Sequence, residues 1–189
     1  LSFSQPLETL SGIVFGTVNL LEALHRVAPK VRFYNAGSSE CFGETGRYPA
    51  NELTAFRPKS PYGIAKAASI SLVTTYRESY GLFACSGILF NHESPLRPAR
   101  FVTRKITSAA WRIGQGSRER LALGNLGVYR DWGWVPDYVE AMWAILQCDT
   151  ADDFVIASGV SHSLEEFVAA AFAEVGLDWR DHVDLDGSL

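Results

Sequence analysis

Apolar positions in the first thirty residues recur at a helical spacing. Over residues 7–27, Leu10, Ile13, Val14, Val18, Leu21 and Leu24 share one stripe, which predicts a helix with a broad buried face. "VRFYNAG" then reads as a strand running into a glycine-containing turn. A loop rich in Pro, Gly and Asn continues to about Pro61. Residues 62–80 form a second predicted helix, stopped by Gly81. "LFACSGILF", 82–90, is almost continuously apolar, as a strand buried on both faces of a parallel sheet requires. After Asn91 the pattern turns loop-like around Pro95 and Pro98. A helix over 102–114, a strand near 120–123, a helix over 136–147 and a strand at "DFVIASG" follow. Ser163 with Glu166 forms a capping box that opens a last helix to about Val175. Strand and helix in alternation predict an α/β fold with a Rossmann-like parallel sheet. The pattern divides at 95/96, with the cofactor-side half over 1–95 and a substrate-side region with returning sheet elements over 96–189.

Composition narrows the function classes. The chain has 189 residues, 47% hydrophobic and 20% charged, which is the balance of a globular domain. A net charge of −4 and the lack of a basic tract argue against nucleic-acid binding. No apolar run is read as long enough to span a membrane, and "LSFSQPLETL" lacks the basic start and apolar core of a signal peptide. Cys41, Cys85 and Cys148 show no metal spacing, so reduced thiols in a cytoplasmic protein are expected, with no metal site.

Two stretches carry chemistry. In "SPYGIAKAA", Tyr62 and Lys66 lie four apart and share one helix face. A lysine ammonium beside a phenol favours the phenolate, which then serves as a general base. Taken alone the pair is more often a solvated helix face. In "NAGSSECFG", Ser38, Ser39 and Glu40 end a predicted strand, where active groups of open α/β sheets gather. Taken alone that string is equally a polar turn. Asn91 and His92 also follow a buried strand. Arg104 and Lys105 open a helix, where cations and amides favour phosphate. Arg130 in "RDWG" is either a substrate arginine or a partner of Asp131 or Asp137. Trp132 reads as packing.

The strings "SSECFG", "FRPKSPYGIAKA", "YRESYGLFACSGILFNHESP", "FVTRKI", "LGNL" with "RDWG", and "SHSLEEFV" resemble the GDP-mannose 4,6-dehydratase family of extended short-chain dehydrogenase/reductases, in that family's order. The resemblance implies an NADP-dependent enzyme that converts GDP-mannose to GDP-4-dehydro-6-deoxymannose and forms homo-oligomers, dimers or tetramers, at full length. It implies Ser38, Glu40, Tyr62 and Lys66 as catalytic residues. It sets Tyr62, Lys66, His92 and Arg97 against NADP, and Ser39, Asn91, Arg104, Lys105 and Arg130 against the sugar nucleotide. A plain ketone reductase needs no carboxylate at Glu40, so a dehydratase is favoured over a sister reductase or epimerase. The family's glycine-rich phosphate loop does not occur in these residues, which keeps a catalytically inactive, truncated relative open as an alternative. Leu96 stands where the family usually has an arginine. Trp134, Val135 and Pro136 replace more polar residues.

Overall fold

The computed structural model describes residues 2–46 and 48–187. Its contacts divide the chain into two units, residues 1–90 with 136–157 and residues 91–135 with 158–189. The division expected at 95/96 therefore lies slightly late. The returning elements after 135 belong to the first unit.

The first unit is a three-stranded parallel sheet in the order β1-β2-β6, built from Phe33–Ala36, Ala84–Leu89 and Asp153–Ile156. Every residue of β2 is buried, which is why its sequence shows no apolar–polar alternation; the polar exception, Ser86, accepts from Asn35 and donates its amide to Asp153. Helix α1 (Pro6–Leu10), a π-helical turn (Ser11–Phe15) and α2 (Gly16–Val27) run on without a break. All three pieces pack on α3 (Pro61–Tyr80). Leu21, Val73, Leu82 and Ala84 form the cluster beneath them. The 22 residues from Pro6 to Val27 are long and apolar enough to cross a membrane by length and composition, which corrects the sequence reading on that point. Thr17 and Leu21 are buried, whereas Leu7, Phe15, Leu20 and Val27 are exposed.

Helix α3 starts at Pro61, behind Ser60, whose Oγ accepts the Gly63 amide at 3.0 Å. It ends where Gly81 takes the left-handed conformation at φ 65°, a geometry glycine adopts without steric cost. On the other face of the sheet α5 (Val135–Ile145) buries Tyr138 and Ile145 against Cys85, Leu89 and Ile156. Strand β6 is locked to α3 by Asp153. Its carboxylate accepts from Thr74 Oγ1 at 2.9 Å, from Arg77 at 2.8 and 3.2 Å, and from the Ser86 amide at 2.8 Å.

The second unit holds two small sheets and two packed helices. Strand β5 (Tyr129–Trp134) pairs in parallel with β3 (Asn91–Glu93) and antiparallel with β7 (Ser161–Ser163). Strand β4 (Leu121–Leu123) pairs with β8 (Val183–Leu185). Helices α4 (Val102–Gly114) and α6 (Leu164–Ala173) meet over Ile106, Ala110, Val168 and Phe172. The predicted capping box is present. Ser163 Oγ accepts the Glu166 amide at 3.1 Å, and Glu166 Oε2 accepts the Ser163 amide at 2.9 Å. The segment after Asn91, read as loop, begins with β3; a three-residue strand is too short to show a period of two.

Candidate active site

The sequence places its site residues in two sets, one per unit. The first set is Ser38, Ser39, Glu40, Tyr62 and Lys66. Ser38 follows the end of β1 in extended conformation and caps a 3-10 turn, Ser39–Cys41, its Oγ accepting the Glu40 amide at 3.4 Å. The Cys41 amide donates to Ser38 O and the Phe42 amide to Ser39 O, each at 3.0 Å. Cys41 and Phe42 are buried and anchor the turn, which leaves Glu40 exposed. Burial pushes the Cys41 thiol up to about 12, so it is no nucleophile at neutral pH.

Tyr62 is the second residue of α3 and Lys66 lies one turn on. Lys66 Nζ stands 5.6 Å from the centre of the Tyr62 ring and donates to the Ala36 carbonyl at 2.8 Å. The lysine therefore bridges helix to strand end, on the side where Ser38 begins the turn. Its burial holds the ammonium below the ordinary lysine range. Tyr62 and Lys66 are both half-buried on one face of α3, and Lys66 is tied to the end of the sheet through Ala36.

The second set is Asn91, His92, Arg97, Arg104, Lys105 and Arg130. Asn91 and His92 lie half-buried on β3, opposite Trp132 and Gly133 of β5. Arg97 stacks over the Phe101 ring at 3.7 Å and forms an ion pair with Glu93 at 3.2 Å, without the alignment of a hydrogen bond. Glu93 also accepts from Thr103 Oγ1 at 2.8 Å. Arg97 and Arg104 both line a pocket of about 280 Å³, with Thr103, Thr107, Trp134 and Phe167. A larger cleft of about 710 Å³ along Tyr129, Ala169 and Trp179 contains none of the expected residues.

Lys105 Nζ donates to the Ala122 carbonyl at 2.6 Å, outside that pocket. Arg130 is exposed, and its guanidinium donates to the Tyr129 carbonyl at 2.8 Å. The Asp131 carboxylate is buried and engaged elsewhere. It accepts the Ser158 and Gly159 amides at 3.0 and 2.8 Å, so the intra-strand ion pair considered for Arg130 does not form. Glu93 was not singled out from the sequence, and Asp131 was considered only as a partner of Arg130; the amides Asp131 holds instead lie 27 and 28 residues away.

A profile of the family described as GDP-mannose 4,6 dehydratase matches residues 1–187. The chain is 49% identical over 189 residues to GDP-mannose 4,6 dehydratase 1 of Arabidopsis thaliana, covering 98% of this chain and 52% of that protein. It is 50% identical over 163 residues to the Homo sapiens GDP-mannose 4,6 dehydratase, covering 85% of this chain and 44% of the relative. Among solved structures, RMD from Pseudomonas aeruginosa complexed with NADPH superimposes with a TM-score of 0.88 at 27% identity, over 98% of this chain and 64% of that one. The dTDP-glucose 4,6-dehydratase of Bacillus anthracis in complex with NAD gives 0.87 at 21% identity, over 95% and 57%, a likeness of fold. The chain spans about half the length of the curated relatives it matches. With a family profile matched from end to end of the described residues, and with the strand-end serine, the carboxylate turn and the Tyr-Lys helix assembled in one unit, the chain belongs to the GDP-mannose 4,6-dehydratase family.

Proposed function

We propose that this chain carries the acid–base centre of an enzyme that dehydrates GDP-mannose to GDP-4-dehydro-6-deoxymannose. The observation that carries the reading is the packing of Lys66 between Tyr62 and the Ala36 carbonyl, beside a turn that presents an exposed carboxylate.

Each unit offers groups suited to part of NADP. In the first, Lys66 uses one of its three donors on Ala36, which leaves two for a ribose diol. In the second, Arg97, which lies over the Phe101 ring and pairs with Glu93, is a cation suited to a phosphate, with His92 on the neighbouring strand. NADP held by such residues would supply a reversible oxidation at C4 of the hexose. Tyr62 accepts the proton of the C4 hydroxyl, with the Lys66 ammonium stabilising the phenolate. Ser38 hydrogen-bonds the C4 oxygen as it becomes a carbonyl. The ketone acidifies C5–H; Glu40 takes that proton and delivers it to the C6 hydroxyl, which departs as water, and Tyr62 returns the proton it took from the C4 hydroxyl to C5 as C6 is reduced. Ser39, Asn91, Arg104, Lys105 and Arg130 hold the sugar and the diphosphate.

Three further proposals accompany this reading. Exposed Leu7, Phe15, Leu20 and Val27 along one helical rod support a homo-oligomer. The free cysteines support a reducing, cytoplasmic setting. The net charge of −4 supports a sugar nucleotide rather than nucleic acid as partner.

Calorimetric titration of the chain with NADP, followed by mass-spectrometric detection of water loss from GDP-mannose, tests the reading. Binding and turnover are expected. Tyr62→Phe is expected to abolish turnover and Glu40→Gln to stop elimination. A folded chain that binds no NADP refutes the activity for this polypeptide and favours the inactive relative. Turnover by oxidation or epimerisation without water loss favours the sister enzymes.

A further inference from the structure

Between Tyr62 and Lys66 lies a residue whose only property is its lack of a side chain. Gly63 is buried in the first turn of α3. A Cβ there would stand 2.7 Å from the Glu40 carbonyl oxygen, 3.3 Å from its carbon and 3.1 Å from Pro58 Cβ. Two of these neighbours are backbone and the third belongs to a proline ring, so none can swing aside as a flexible side chain does. Glycine weakens a helix, so its presence here answers a packing demand. The turn is also tied to the segment before Pro58, because the Arg57 amide donates to the Cys41 carbonyl at 2.9 Å. We infer that Gly63 is a positioning residue: its bare Cα lets the Ser38–Glu40 turn rest on the helix that bears Tyr62, and so sets where the Glu40 carboxylate stands. The inference rests on the dehydratase reading for its consequence, but not for its geometry.

Cys41 labelling and the kinetics of Gly63→Ala separate these. Cys41, fully buried beside Glu40, reports the turn. Its labelling by a maleimide, followed by mass spectrometry, is expected to quicken several-fold. The rate of water loss is expected to fall roughly 100-fold, the effect of about 1 Å of misplacement, with NADP affinity unchanged. The primary isotope effect from deuterium at C5 is expected to rise as Glu40's proton transfer becomes limiting, which mere loss of folded protein does not produce. Ile64→Ala, at an exposed neighbouring position, is expected to change none of these. Unchanged Cys41 labelling, or a slower rate with an unaltered isotope effect, overturns the inference. Pro58→Gly added to Gly63→Ala removes one of the contacts; an unfolded chain in both backgrounds also overturns it, by making Gly63 a requirement of folding alone. A wild-type chain without turnover, in which Gly63→Ala still exposes Cys41, supports the spacing role and refutes the dehydratase reading.

Discussion

Asp153→Asn is expected to destabilise the first unit far more than its small size change suggests. Asp153 and Arg77 side chains are each only 16% exposed, and their closest contact is 2.8 Å. The carboxylate also takes hydrogen bonds from Thr74 and from the Ser86 amide, so it ties α3 and β2 to β6. An amide in its place turns one acceptor into a donor that faces Arg77, and leaves the guanidinium with only the exposed Asp152 carboxylate, at 3.9 Å, as counter-charge. Removing one partner of a buried pair costs about 3–5 kcal/mol, and the residual exposure places this one near 3. With a urea slope of about 1–3 kcal/mol per molar, the midpoint falls by roughly 1 M or more. Circular dichroism of the chain in urea reads this directly. Arg77→Met with Asp153→Leu, which removes both charges, is expected to recover most of the loss. A midpoint shift below about 0.3 M for Asp153→Asn, on that same slope, would show that the pair is solvated and the reasoning wrong.

Other perturbations test separate parts of the structure. The Glu22 carboxylate accepts the Tyr76 hydroxyl at 2.5 Å, and this bond pushes the phenol up to about 12. The stabilisation is complete below the unfolded value near 10 and is lost as pH rises through about 12; Glu22→Gln is expected to lower the Tyr76 midpoint in a difference absorbance titration against Tyr76→Phe. Lys66 behaves in the opposite sense, since burial lowers its pKa. Its cost is present while the folded amine is charged and fades as pH rises towards the ordinary lysine range, so the stability gap between Lys66→Met and wild type is expected to narrow at alkaline pH. Ser163→Ala removes half of the capping box and is expected to cost about 1 kcal/mol, read as a lower denaturation midpoint of the second unit.

The long elements were legible because their periods are long. The stripe from Leu10 to Leu24 and the nearly continuous apolar run around β2 each extend over enough residues to read, and the Ser163–Glu166 pair fits a known helix-start pattern. The three-residue strands β3, β7 and β8 repeat nothing, and "YRDWGW" mixes buried Asp131 with exposed Arg130 and Trp134. The site was legible as residue types, not as contacts. Tyr62 and Lys66 share a face by spacing, but the Ala36 carbonyl that holds Lys66 lies 30 residues away in the chain. Asp131 was legible only as a neighbour of Arg130, because the Ser158–Gly159 amides it holds lie 27 and 28 residues away. Glu93 and Arg97 are four apart, but they stand where the chain read as loop, so no helical spacing pointed to their pairing. Gly63 was visible as a glycine; its contact with Glu40 was not.

The bond from Lys66 to the end of β1 also has a thermodynamic reading. A free lysine side chain surrenders up to about 2 kcal/mol of rotational freedom when a ligand immobilises it. Here folding has already frozen those rotors against Ala36, with two N–H donors still unspent. A ligand that recruits this ammonium inherits an ordered group, and the entropy of arranging it is charged to the native state rather than to the complex.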